Sequence, residues 1–235
     1  MNGLNRTTIS LPAEDNYFVQ EAFNVLRTNV LFSGQDVKVI LLTSVDQNEG
    51  KSVLSLHLGH SLAELGKRVL VIDADLRKSV LAGRHSDAKN VIGLSETLNG
   101  MTTLSDAIYS TQYPNMFLLF SGAYPPNPVK LLNSVYFSDM LKAVKDIFDY
   151  VIVDTPPLGY VIDAAVIGAN CDSALLVIGS DHVPYRAARE AVEQLRKSNC
   201  NVLGVVLNNV SSKKRDRYSH GKYKKYQYKK YEQYK

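Results

Sequence analysis

Nine residues, Ser44-Val-Asp-Gln-Asn-Glu-Gly-Lys-Ser52, follow the apolar run Val39-Ile-Leu-Leu-Thr43 and open a helix-length segment. A strand, a short polar loop and a helix in that order let successive loop N–H groups and the positive end of the helix face an anion. A nucleoside triphosphate suits these residue types. The loop from Asp46 through Gln47, Asn48, Glu49, Gly50, Lys51, Ser52 and Val53 would wrap the phosphates. Gly50 permits close backbone approach, Lys51 reaches the β- and γ-phosphates, and Ser52 can ligate Mg²⁺. Val45 stands where the usual phosphate loop has its first glycine, so the loop alone is an imperfect match.

Two acidic motifs strengthen it. Val69-Leu-Val-Ile72 ends in Asp73-Ala74-Asp75-Leu76-Arg77, and Val151-Ile-Val153 ends in Asp154-Thr-Pro-Pro157. In a parallel α/β sheet the carboxyl ends of the strands open onto one crevice, so these acids would converge on the metal and phosphates held by the loop. A lone strand-end aspartate is usually a helix cap, but here one sheet edge would carry the loop and both motifs.

The elements that must position these groups are visible as alternation. Short β-rich apolar runs recur at Val37–Thr43, Arg68–Ile72, Met116–Phe120, Tyr150–Val153, Ser173–Ile178 and Asn201–Leu207. Helix-length segments fall at 17–32, 51–65, 130–148, 164–168 and 185–198. Such alternation builds parallel crossovers. The expected fold is α/β, a doubly wound and mostly parallel sheet of P-loop NTPase type. Residues 1–16 read as a flexible lead, 17–212 as the nucleotide-binding domain, and 213–235 as a disordered Tyr/Lys-rich tail.

Charge separates along the chain. Residues 213–235 hold 10 Lys and Arg against two acids, while the rest has 17 basic and 21 acidic residues. A basic segment hung on a slightly acidic body marks an interaction or modification segment and argues against a uniformly basic nucleic-acid binder. No stretch approaches the roughly 20 apolar residues a bilayer span requires, so a cytoplasmic protein is expected. Cys171 and Cys200 match no metal or redox spacing and read as buried free thiols. His57 and His60 lack a ligand partner at metal spacing and read as packing residues.

With Phe148-Asp-Tyr-Val-Ile-Val-Asp-Thr-Pro-Pro157, the phosphate loop and Asp73-x-Asp-Leu-Arg77, the chain resembles the bacterial tyrosine kinases of capsular and exopolysaccharide synthesis. Glu21-Ala-Phe-Asn-Val-Leu-Arg27, Ser121-Gly-Ala-Tyr-Pro-Pro-Asn-Pro128 and Val202-Leu-Gly-Val-Val-Leu-Asn208 extend the likeness over nearly the whole chain. The C-terminal tyrosines Tyr218, Tyr223, Tyr226, Tyr228, Tyr231 and Tyr234 are similar to the autophosphorylation tail of the stand-alone, Gram-positive type. The resemblance implies ATP and Mg²⁺ as cofactors, with Lys51 and the loop amides on ATP. Ser52, Asp73 and Asp154 would organise Mg²⁺, and Asp75 would act as base toward the attacking tyrosine. It further implies a transmembrane activator acting through its cytosolic segment, peripheral placement at the inner face of the membrane, and a homo-oligomer phosphorylating in trans.

The chain departs from the family pattern at Gln47-Asn48, where Pro-Gly is usual, and at Asn24, where the helix motif Glu-x-x-Arg-x-x-Arg has its central arginine. Asn208 and Asn209 could read adenine or serve as turn amides. Arg77 and Lys78 could steady a phosphate or lie solvated. The tail could also contact an anionic membrane surface. Two rival functions stay open: a partition or division-site ATPase of the same fold, and a nucleotide-binding scaffold recruiting partners through the basic tail.

Overall fold

The computed structural model describes residues 4–11, 17–180 and 182–210. In chain order its elements are β1 (Asn5–Arg6), α1 (Tyr17–Leu31), β2 (Val39–Ser44), α2 (Lys51–Glu64), β3 (Val69–Asp73) and α3 (Leu81–His85). Next come α4 (Leu94–Leu98), α5 (Leu104–Ala107), β4 (Ile108–Ser110), β5 (Met116–Leu119), α6 (Pro128–Leu132) and α7 (Val135–Ile147). Then follow β6 (Tyr150–Asp154), α8 (Asp163–Gly168), β7 (Ser173–Gly179), α9 (Tyr185–Lys197) and β8 (Val202–Asn208).

The strands form one eight-stranded sheet in the order β1-β4-β5-β3-β6-β2-β7-β8. Every pairing is parallel except β4 with β5. β2, β3 and β6 are buried on both faces, which is why they read as unbroken apolar runs rather than alternating ones. Alternate residues feed two cores. Leu70 and Ile72 face the layer built by α4 to α9, and Val69 and Val71 face α1, α2 and α3. Gly59 lets α2 press on the sheet, since a Cβ there would stand 2.7 Å from a Val71 methyl.

Two local readings are corrected. The expected flexible lead is ordered over residues 4–11: β1 pairs with β4, Ile9 is buried, and its backbone exchanges hydrogen bonds with the Gln112 amide at 2.8 and 2.6 Å. The segment 130–148 is two helices, because the Ser134 hydroxyl caps a new one by accepting from Phe137 N–H at 3.3 Å. α6 has its own start, an Asn127 cap followed by Pro128 at the first helical position.

Cys200 is buried and Cys171 half-buried, and both thiols are free. Burial pushes their pKa values up, that of Cys200 to about 11. His57 stacks on Phe23 with ring centroids 4.8 Å apart, and His60 packs on Tyr113 at 4.2 Å.

Candidate functional site

The phosphate loop joins β2 to α2, and its turn depends on two left-handed residues, Asn48 at φ 60° and Gly50 at φ 84°. Asparagine tolerates that conformation at some cost, which is how the chain manages without the usual glycine. Gly50 is required for space as well, since a Cβ would lie 2.2 Å from the Asn208 amide nitrogen. That amide donates to the Glu49 carbonyl at 2.8 Å, so the end of β8 braces the loop.

Glu49 is buried, which its position in a polar loop did not suggest. One carboxylate oxygen accepts from Asp46 N–H and the other from Gly179 N–H, each at 2.8 Å, fixing the loop to the end of β7. Tyr160 makes a third tie. Its hydroxyl donates to the Asp46 carboxylate at 2.7 Å, joining the segment after β6 to the loop. This bond, with Gln47 N–H second, holds the Asp46 carboxyl below its usual pKa.

β3 and β6 run side by side with Asp73 and Asp154 in direct register. Both carboxylates are buried. Burial first, then the neighbouring Asp154, pushes the Asp73 pKa up to about 8. Burial also raises Asp154, to about 6, against the downward pull of the Lys51 charge and then the Ser52 hydroxyl. Ser79 donates to Asp73 from the following loop.

Asp75 sits half-exposed two residues beyond Asp73, one oxygen accepting from the N–H groups of Arg77 and Lys78 at 3.2 and 2.9 Å. Lys51, Ser52, Asp73, Asp75 and Asp154 line one cleft of about 290 Å³, together with Gln47 and Asn48. The convergence expected of the loop and the two acidic motifs is therefore present. Val53 lies in the first turn of α2, and Asn208 braces the loop. The tail tyrosines Tyr218 to Tyr234 lie outside the described residues.

The donor set fits a hard cation. Among the described residues no group of three or more His, Cys, Asp or Glu side chains could hold a metal. Two carboxylates and a serine hydroxyl suit Mg²⁺, which keeps several waters and takes its other ligands from substrate phosphates. Two buried acids facing each other, each with a raised pKa, are also a pair that a divalent cation would relieve.

A phosphate loop flanked by strand-end acids on one edge of a mostly parallel sheet is the arrangement of the P-loop NTPases. The family described as an AAA domain matches residues 37–203. Tyrosine-protein kinase CpsD of Streptococcus agalactiae is 41% identical over 206 residues, which is 88% of this chain and 90% of that protein. Tyrosine-protein kinase YwqD of Bacillus subtilis (strain 168) is 32% identical over 219 residues, 92% of each chain. Among solved structures, the kinase domain of the Escherichia coli tyrosine kinase ETK has a TM-score of 0.81 at 31% identity, covering 87% of this chain and 81% of that one. The MinD protein of Pyrococcus horikoshii OT3, complexed with Mg-ADP, is more distant, with a TM-score of 0.61 at 26% identity over 79% of this chain and 72% of that one.

The chain belongs to the bacterial tyrosine kinases of the Gram-positive capsule type. It is a protein-tyrosine kinase rather than a partition or division-site ATPase.

Sequence reasoning missed Glu49 as a brace, Ser79, Tyr160 and Asp163. Asp163 is fully buried at the start of α8, and its Oδ1 accepts from Arg77 Nε at 3.0 Å. A charge directly ahead of Ala164-Ala165-Val166-Ile167 was the available signal, and it reads equally as a helix cap.

Proposed function

We propose that the chain transfers the γ-phosphoryl group of ATP to tyrosines of its own C-terminal segment, and that this phosphorylation regulates capsular or exopolysaccharide synthesis and export. The observation that carries the reading is the single cleft joining Lys51 and Ser52 to Asp73, Asp75 and Asp154.

Each group has a physical task. Loop amides from Asp46 to Val53 and the Lys51 ammonium hold the triphosphate, placing positive charge where the β- and γ-phosphate oxygens lie. Ser52, Asp73 and Asp154 would hold Mg²⁺. When bound, that ion supplies neutralisation of the phosphate charge. Asp75 is the most accessible of the three carboxylates, and it is the one that accepts the proton of the incoming phenol. The phenol oxygen forms a bond to the γ-phosphorus, the bond from phosphorus to the β–γ bridging oxygen breaks, and ADP leaves. With a reference pKa of about 10 a tyrosine arrives protonated, so a carboxylate at the point of attack lowers the barrier.

Residues 213–235 supply the acceptors, Tyr218, Tyr223, Tyr226, Tyr228, Tyr231 and Tyr234. A basic segment is attracted to the ATP-loaded cleft, and each added phosphate brings about −1.5 to −2 charges, so a few reverse its sign. A neighbouring copy can donate its segment as readily, giving phosphorylation in trans within a homo-oligomer. Arg27 of the α1 motif is folded onto α2, donating to Ser61 at 3.1 Å, and Asn24 replaces the central arginine, so self-association would lean on other residues of α1.

The family resemblance supports a transmembrane activator whose cytosolic segment brings the kinase to the inner face of the membrane. No helix among the described residues is long and apolar enough to cross a membrane. Anionic lipid would add a second, electrostatic contact to the basic tail.

Asp75→Asn tests the chemistry. It should bind MgADP like the parent and lose most phosphotyrosine formation; labelling of the tail at the parent rate would remove Asp75 from the role of base.

A further inference from the structure

Asp163 is a buried charge with a short account of partners. Its Oδ1 receives Arg77 Nε at 3.0 Å, while Oδ2 is buried and reaches no hydrogen-bond partner among the described residues. Arginine–carboxylate pairs frequently take the two-pronged form, in which both carboxylate oxygens face the guanidinium fork. Here one prong is made and the other is not. The Arg77 side chain remains 35% exposed and lines the cleft with Lys51, Asp75 and Asp154.

Nε is thus committed to a buried acceptor while both Nη groups remain without a bond among the described residues. A guanidinium pinned at Nε has little freedom left except rotation about its own axis, and its outer edge presents paired N–H donors. Paired donors on a rigid fork match the oxygens of a phosphoryl group. The chain geometry reinforces this. Arg77 stands two residues after Asp75, whose carboxylate accepts from the Arg77 N–H at 3.2 Å, so backbone and guanidinium are held at the same place. Asp163 begins α8, which follows directly on the segment from Asp154 to Ile162. The bond therefore ties the loop after β3 to the start of α8, at the margin of the cleft that Arg77 lines.

We propose that Asp163 is a positioning residue for phosphoryl transfer: by holding Arg77 at Nε, it aims both Nη groups into the cleft, where they bind oxygens of the γ-phosphoryl group in transit. This rests on the kinase reading of the same cleft. Lys78 and Arg84 also line that cleft, but among the described residues no bond fixes the end of either side chain there, so they attract charge without aiming it.

The test compares the full chain with Asp163→Asn, Arg77→Lys and the double variant. Phosphotyrosine formation is followed against MgATP concentration, and MgADP affinity is followed by calorimetry. Asn keeps an oxygen at the position of Oδ1 but not its charge, and Lys keeps the charge but not the fork. Each single variant should lower kcat by about 100- to 1,000-fold, as expected for a lost transition-state donor. MgADP affinity should stay within about threefold, because ADP lacks the group Arg77 contacts. The double variant should be no slower than the worse single one.

Parallel loss of MgADP binding and kcat in Asp163→Asn would show a structural role and overturn the proposal, as would additive losses. Should Asp163→Asn fail to fold, Arg77→Lys alone decides, and parent kcat there contradicts the proposal. A parent chain that released phosphate without forming phosphotyrosine would overturn the kinase reading instead. The same variants read by phosphate release would then still report whether Asp163 and Arg77 act as one unit.

Discussion

Asp73 and Asp154 are register partners on adjacent parallel strands, both buried at the carboxyl edge of the sheet beside Lys51. Two carboxylates so placed cannot both ionise cheaply without a cation between them. The geometry therefore stores a cost in the ligand-free protein that a bound cation removes.

That cost sets a pH dependence. In the unfolded chain both groups titrate at about 4, whereas in the fold burial pushes Asp73 up to about 8 and Asp154 up to about 6. Between these values the folded protein holds protons that the unfolded chain has released. Raising pH therefore favours unfolding, and stability present below about pH 4 is lost progressively up to about pH 8. Urea denaturation of ligand-free protein should show stability falling by on the order of a few kcal/mol across that window. In Asp73→Asn the fall should be much shallower; an equally steep fall in that variant would assign it elsewhere.

Gly50 and Asn48 should respond in opposite ways to substitution. Gly50→Ala places a methyl 2.2 Å from the Asn208 amide nitrogen at a φ of 84°, and should abolish measurable MgADP binding. Asn48→Gly relaxes a residue at φ 60°, whereas Asn48→Ala adds strain of about 1 kcal/mol. Calorimetric MgADP titration of the three proteins, with thermal unfolding alongside, separates lost fit from lost stability.

Glu49→Ala should be costly for a loop residue. It leaves the N–H groups of Asp46 and Gly179 without their acceptor, a loss of about 2–4 kcal/mol, and frees the loop from β7. Chemical denaturation gives the first number, and weakened MgADP affinity should accompany it. A change under about 0.5 kcal/mol, the usual size for an exposed substitution, would contradict the bracing role.

Ile9→Ala should destabilise the protein by about 2–4 kcal/mol, as for a buried side chain emptied of its methyl groups. A residue in a flexible lead would give no effect, so thermal unfolding distinguishes the two directly.

The chemistry was legible where the chain is most regular. β2, β3 and β6 are unbroken apolar runs because parallel strands are buried on both faces, and each ends in the polar residues that face the crevice, so Lys51, Ser52, Asp73, Asp75 and Asp154 could be placed on one edge in advance. β1 and β4 were hidden, since strands of two and three residues carry no period, and their pairing depends on contacts about a hundred residues apart. The α6–α7 break was written in Ser134 but masked by helix-compatible residues around it. The bracing role of Glu49, a residue placed in advance only among those around the phosphates, and the whole of Asp163 were missed for one shared reason: an acid in a loop or at a helix start reads as solvated, and only the folded chain shows which N–H groups or guanidinium it was placed to meet.

Phosphotyrosine formation by the purified full chain with MgATP, beside Lys51→Met and a chain ending at Lys213, tests the central claim most directly. Phosphotyrosine that requires both Lys51 and the residues after Lys213 is the predicted result. Undiminished labelling without those residues, or steady phosphate release with no phosphotyrosine, would contradict it.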